Sequence, residues 1–257
     1  MNNPLRDGYA QQGAHTAAGI DEGLRAYMLK VYNYMAIGLA ITGLAAMAIA
    51  NLAVTNDPSA AAAQMQNGTL LTSLGVALYG SPLKWVVMLA PLGAVFFLSF
   101  RISKMSVGAA QTTFWLFAAI MGVSLSSIFL VYTAESITRV FFITSAAFGA
   151  LSLYGYTTKK DLSGWGSFLF MGLIGVIIAS VVNIFVGSSA LQFAISVIGV
   201  LVFAGLTAYD TQRIKTMYYE GDDATSAGRK AIMGALSLYL NFINMFIMLL
   251  QLFGNRE

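Results

Sequence analysis

Apolar runs near twenty residues long recur along this chain of 257 residues, and that recurrence constrains the fold more than any other feature. A helix rising 1.5 Å per residue needs about twenty apolar residues to cross a bilayer core. Seven runs qualify: Tyr27–Val54, Leu83–Phe100, Val107–Tyr132, Ile137–Tyr156, Trp165–Val186, Leu191–Asp210 or beyond, and Ala231–Phe253. Strands of alternating hydropathy are absent, which argues against a membrane barrel. Charged residues make up only 10% of the chain and hydrophobic ones 58%, where a soluble domain carries about a quarter charged. The expected fold is an all-α bundle of seven transmembrane helices over residues 24–257, preceded by a polar tail over residues 1–23.

Loop charge gives an expected orientation. Arg101 and Lys104 follow the second run, Lys159 and Lys160 the fourth, and Arg213, Lys215, Arg229 and Lys230 lie between the sixth and seventh. The alternate loops are nearly free of basic residues, with Arg139 a mild exception. Positive residues stay on the cytoplasmic side, so the N-terminus is expected inside and the C-terminus outside. The longest outer loop runs from Asn56 to Pro82, and its apolar stretch Leu70–Tyr79, too short to span, is expected to lie in the interface. Gly175 and Ala179 form a small-xxx-small pair that reads as ordinary helix packing.

Composition excludes several chemistries. There is no cysteine, and the single histidine, His15, sits in the tail. A zinc site, a serine protease and a pair of intramembrane aspartates all lack their residues, so no enzyme, resident metal or cofactor is expected. The modest net charge of +3 lies in short loops and points to no nucleic-acid partner.

Polar residues inside the runs carry the remaining information. In the seventh run, Ser237, Asn241, Asn244 and Gln251 fall at offsets 0, 4, 7 and 14, one stripe of a helix. Lipid cannot satisfy an amide, so the stripe is expected to face protein or water and the helix to lie inside the bundle. Asn244 and Gln251 read best as amides that hold helices together. Asn241, near the middle, reads as functional. Asp210 is the sharper case. A helix ending at Asp210 would put a negative charge at its negative end, whereas TQRIKTMYY is suited to continue it. A continued helix would bury Asp210 by roughly 10–15 Å, close to the depth of Asn241. Either the two side chains meet there or a water-filled vestibule reaches the acid; the sequence leaves both open. Arg101 enters from the same side. It reads first as an anchoring charge and second as a partner for Asp210.

The segments GVSLSSIFLVYTAESI (122–137), SLYGYTTKKDLSGWG (152–166), GLTAYDTQRIK (205–215) and ALSLYLNFINMFIMLLQLFGNR (235–256) resemble the Bax inhibitor-1 family, its bacterial inner-membrane members most closely, from about Leu24 to the C-terminus. The resemblance implies a seven-helix bundle with the last helix central, and a pH-sensitive calcium leak or protection from stress signals. It also implies two aspartates on helices six and seven that share a hydrogen bond and sense protons, with an arginine on helix two as a latch. By position these are Asp210, Asn241 and, approximately, Arg101. Asn241 departs from the pattern, since LYLNFIN stands where the leak-forming members have LYLDFIN. Calcium prefers several oxygen ligands, often carboxylates, and a lone acid does not titrate as a coupled pair. Weaker calcium affinity and an altered pH response are therefore expected. Two functions follow: a cation leak gated by Asp210, or a membrane protein that modulates stress or quality-control machinery without ion flux.

Overall fold

The computed structural model describes the backbone of residues 4–65 and 67–255, with side chains from Glu22 onward. The tail expected over residues 1–23 lies largely outside the described side chains, and Arg256 lies beyond the described residues. The elements are α1 (Pro4–Ala53), β1 (Val54–Thr55), β2 (Ala63–Gln64), β3 (Leu70–Leu71), α2 (Ser73–Gly75), α3 (Leu83–Arg101), α4 (Val107–Leu125), α5 (Ala134–Thr157), α6 (Gly166–Val186), α7 (Ser189–Thr216) and α8 (Ala224–Phe253).

Seven of the described helices are long and apolar enough to cross a membrane. Four of them begin where the sequence offers a capping oxygen. Ser106, Thr133 and Ser188 each accept a hydrogen bond from a backbone N–H of the first turn of α4, α5 and α7. Asp223 accepts two, from Thr225 and Ser226, and so starts α8 at Ala224 rather than at Ala231. Helix α7 continues to Thr216, past Asp210.

The helices are buried unequally. In α8, 67% of the most apolar stretch is buried, against 11% to 39% in the other six spans. It packs against α1, α4, α5 and α7. Tyr239 on α8 shows how: it is fully buried, its ring meets Phe114 and Phe117 of α4 edge-on, and its hydroxyl lies 2.6 Å from Thr42 Oγ1 of α1. Glycines set the closest approaches. A side chain at Gly122 would strike the Thr42 carbonyl, and one at Gly155 the Ala208 carbonyl, so α4 sits on α1 and α5 on α7 nearly backbone to backbone. Gly175 is not such a contact: it is exposed and a Cβ there would touch nothing within 4 Å. Spacing alone cannot tell which face of α6 is covered.

The long loop is folded. β1, β3 and β2 form a small antiparallel sheet in that order. The stretch Leu70–Tyr79 turns back onto the end of α1, where Thr72 Oγ1 donates to the Leu52 carbonyl at 2.8 Å and Leu71 and Leu78 are buried.

Candidate functional site

The segment Tyr209–Arg213 lies on the last two turns of α7, and each of its side chains faces a different neighbour. Tyr209 lies against Gly166, where any larger residue would strike its ring. Thr211 Oγ1 is 2.9 Å from Ser152 Oγ of α5. Gln212 accepts from Leu162 N at 2.7 Å and donates to the Lys160 carbonyl at 2.8 Å, pinning the α5–α6 loop. Lys215 Nζ donates to the Tyr156 carbonyl at 2.8 Å. These contacts leave Asp210 pointing toward α8.

There it meets Asn241. The Asn241 amide Nδ2 donates to Asp210 Oδ2 at 2.8 Å, and both residues are buried, 7% and 5% exposed. The carboxylate can only accept, so this contact sets the orientation of the amide. The other carboxylate oxygen, Oδ1, is paired with Arg213 Nη2 at 3.0 Å, three residues on along the same helix. Arg213 also donates to Ser237 Oγ at 3.4 Å, and its guanidinium lies 5.9 Å from the Tyr209 ring centre. A side chain one turn away on a helix is a neighbour, so the i, i+3 spacing of Asp210 and Arg213 carried the signal for this pair.

The cluster lines a cleft of about 1030 Å³. Asp210, Arg213, Ser237, Asn241 and Asn244 are among its polar residues, with Ser124, Ser167 and Ser180 on other helices, and Met88 and Pro91 of α3, Met121 of α4 and Ile177 of α6 belong to its apolar walls. Asn244 donates to the Leu240 carbonyl of its own helix at 2.8 Å, so it does not join two helices. Around Asp210 the charged group is Arg213, and no cluster of three acid, histidine or cysteine side chains suited to a metal occurs among the described residues.

Gln251 sits apart from this cluster, at the opposite end of α8. It accepts from Gln192 Nε2 and from Ser196 Oγ, both at 2.8 Å, and so ties α8 to α7. Arg101 is exposed at the last turn of α3, and the ion pair at Asp210 is made by Arg213 instead. Of the residues singled out in the sequence, then, the structure brings Asp210, Asn241 and Ser237 together, with Asn244 along the same cleft. It adds Arg213 and keeps Gln251 and Arg101 elsewhere.

The family model described as "Inhibitor of apoptosis-promoting Bax1" matches residues 24–257. The inner membrane protein YbhL of Escherichia coli is 48% identical over 237 residues, covering 91% of this chain and 94% of that protein. An uncharacterized protein of Caulobacter vibrioides is 47% identical over 260 residues, covering 99% of this chain and 100% of its own length. Another, from Rickettsia prowazekii, is 46% identical and covers 92% of each chain.

Proposed function

The chain belongs to the Bax inhibitor family of membrane proteins, and from that premise we propose that it is a pH-sensitive leak pathway for cations, calcium among them, with Asp210 as the proton sensor. The observation that carries this reading is a buried carboxylate on a large cleft, held by one half-exposed arginine and one amide. A proton, a cation and Arg213 then compete for the same oxygens. Protonating Asp210 removes its attraction for both Arg213 and a cation, so occupancy of the cleft depends on pH. Oxygens of Asn241, Asn244 and Ser237 along the cleft are the further ligands a hard cation needs. With one carboxylate where a coupled pair would offer two, the site favours weak, transient binding, as a leak requires. The basic loops support a cytoplasmic N-terminus and an outer C-terminus; with that orientation the acid lies nearer the cytoplasmic side of the inner membrane.

A second reading has its own support. Arg213 already neutralises the one acid among the described residues that line the cleft, and Asn241 stands where a second acid would strengthen cation binding. Under this reading the protein modulates a membrane partner without carrying ions.

Flux through purified protein in liposomes separates the two. Calcium flux measured between pH 5 and 8 is expected to vary with pH, and Asp210→Ala is expected to abolish that variation. Asn241→Asp restores a two-acid site and should steepen the response. Flux that is absent at every pH in both the unaltered chain and Asn241→Asp favours the partner reading. Flux whose pH dependence survives Asp210→Ala removes Asp210 as the sensor.

A further inference from the structure

A second cleft, of about 500 Å³, opens between α1 and α5 and shares no lining residue with the first. It is separate from the Asp210 site and does not depend on ion flux. On α1 its wall is Arg25, Met28, Leu29 and Tyr32, one face at offsets 0, 3, 4 and 7. On α5 it runs from Phe148 and Gly149 to Tyr156.

The chemistry changes along its length. Polar groups on the floor are spent on one another: Tyr32 Oη lies 2.6 Å from Ser152 Oγ, which lies 2.9 Å from Thr211 Oγ1, which in turn donates to the Thr207 carbonyl at 2.8 Å. What remains for an occupant is hydrocarbon, from Met28, Leu29, Phe148 and Leu153. The mouth is cationic. Arg25 lies there, exposed and without an ion pair among the described residues. Lys215 sits behind Tyr156, its Nζ 5.0 Å from that ring's centre. Among the described residues no acid lines the cleft. At Gly149 the missing side chain widens the trough, since a Cβ there would touch nothing within 4 Å.

We infer that this cleft binds an anionic phospholipid of the surrounding membrane, with one acyl chain in the trough and the phosphate against Arg25. An apolar trough with a basic mouth matches a lipid of net negative charge at both ends of the molecule. Basic pockets between membrane helices take such headgroups. A partner helix fits poorly: a helix about 10 Å across fills this volume with roughly one turn. A free phosphate would find one arginine and no reason for the hydrocarbon.

Native mass spectrometry of the purified full chain tests the assignment, with phosphatidylglycerol, phosphatidylethanolamine and glycerol phosphate as separate probes. Phosphatidylglycerol should be retained over phosphatidylethanolamine by about fivefold, the factor expected for one basic side chain near an anionic surface. Glycerol phosphate should not be retained. Arg25→Gln should bring the preference close to one, and Gly149→Trp should reduce retention of both lipids by filling the trough. A photoreactive side chain in place of Leu153, activated in intact membranes, should give an adduct of phospholipid mass. Equal retention of the two lipids by the unaltered chain overturns the inference. So does a crosslink to a protein, a second copy included, in place of a lipid, and so does retention of glycerol phosphate alone.

Discussion

The helix pair α7–α8 is polar at both ends, and the two ends work differently. Near the basic loops, Asp210, Arg213, Asn241 and Ser237 form a cluster around one charge. At the far end, Asn183, Gln192, Ser196 and Gln251 form a cluster with no ionisable group: Asn183 Nδ2 donates to Gln192 Oε1 at 3.1 Å, and Gln192 and Ser196 both donate to Gln251. Between them the helices touch through apolar groups, with Met248 close against Gly199. Amides satisfy one another in any protonation state that matters here. A carboxylate does not, because the proton that neutralises it also cancels its ion pair. One end is therefore a fixed clasp, and the other holds a group that a proton would release from its partners.

The comparison breaks most readily at Asn241. Replacing it with leucine removes a hydrogen bond to a charged, buried acceptor, and such bonds contribute about 1.5–3 kcal/mol. Thermal unfolding in detergent should show Asn241→Leu destabilised by about that much at neutral pH. The penalty should shrink on acidification, since protonating Asp210 removes the charge that the amide was serving. A loss independent of pH would mean that Asp210 does not change its protonation state over the range and that the two ends are alike.

Gln251→Leu is the matched change at the far end. It removes two neutral hydrogen bonds, and side-chain bonds between membrane helices average about 0.6 kcal/mol each. A destabilisation of about 1 kcal/mol is expected, equal at pH 5 and pH 8. A pH-dependent loss there would show that the amide cluster is linked to a titrating group and would end the distinction.

Much of this contrast was legible in the sequence. The seven runs marked the helices because membrane helices must be apolar along their length. The spacing of Ser237, Asn241, Asn244 and Gln251 marked a stripe because a helix repeats every 3.6 residues. Continuation of α7 past Asp210 followed from the dipole and from TQRIK. What the spacing could not supply was which neighbour each member of the stripe meets. Asn241 finds an acid on α7, Gln251 finds the Gln192 amide and the Ser196 hydroxyl on α7, and Asn244 turns back on its own helix. Those outcomes depend on helix rotation and crossing, set by packing of residues such as Gly155 and Tyr239 far away in sequence. Arg101 shows the same limit. It enters from the same side as Asp210, yet Arg213 is one turn away on the same helix and makes the ion pair.

A second acid sharpens the comparison from the opposite extreme. Asp223 caps α8 in full contact with water. The Ser226 hydroxyl and the backbone N–H groups of Ser226 and Thr225 donate to its carboxylate and hold its pKa below the ordinary carboxylate value. A depressed folded-state pKa means that the cap's charge stabilises the fold at pH values above the unfolded pKa, and that this contribution is lost as pH falls through the folded one. Asp223→Asn keeps a capping oxygen and removes only the charge, so its effect should be the smallest of the three. The difference in melting temperature between this variant and the unaltered chain should stay constant from pH 8 to pH 5 and close only in the acid range below. Buried Asp210 and solvated Asp223 would then be told apart by the pH range over which each variant's effect changes: between pH 5 and 8 in one case, below pH 5 in the other. If the Asp223→Asn difference instead changed between pH 5 and 8, the pH dependence seen for Asn241→Leu could not be credited to the α7–α8 cluster alone.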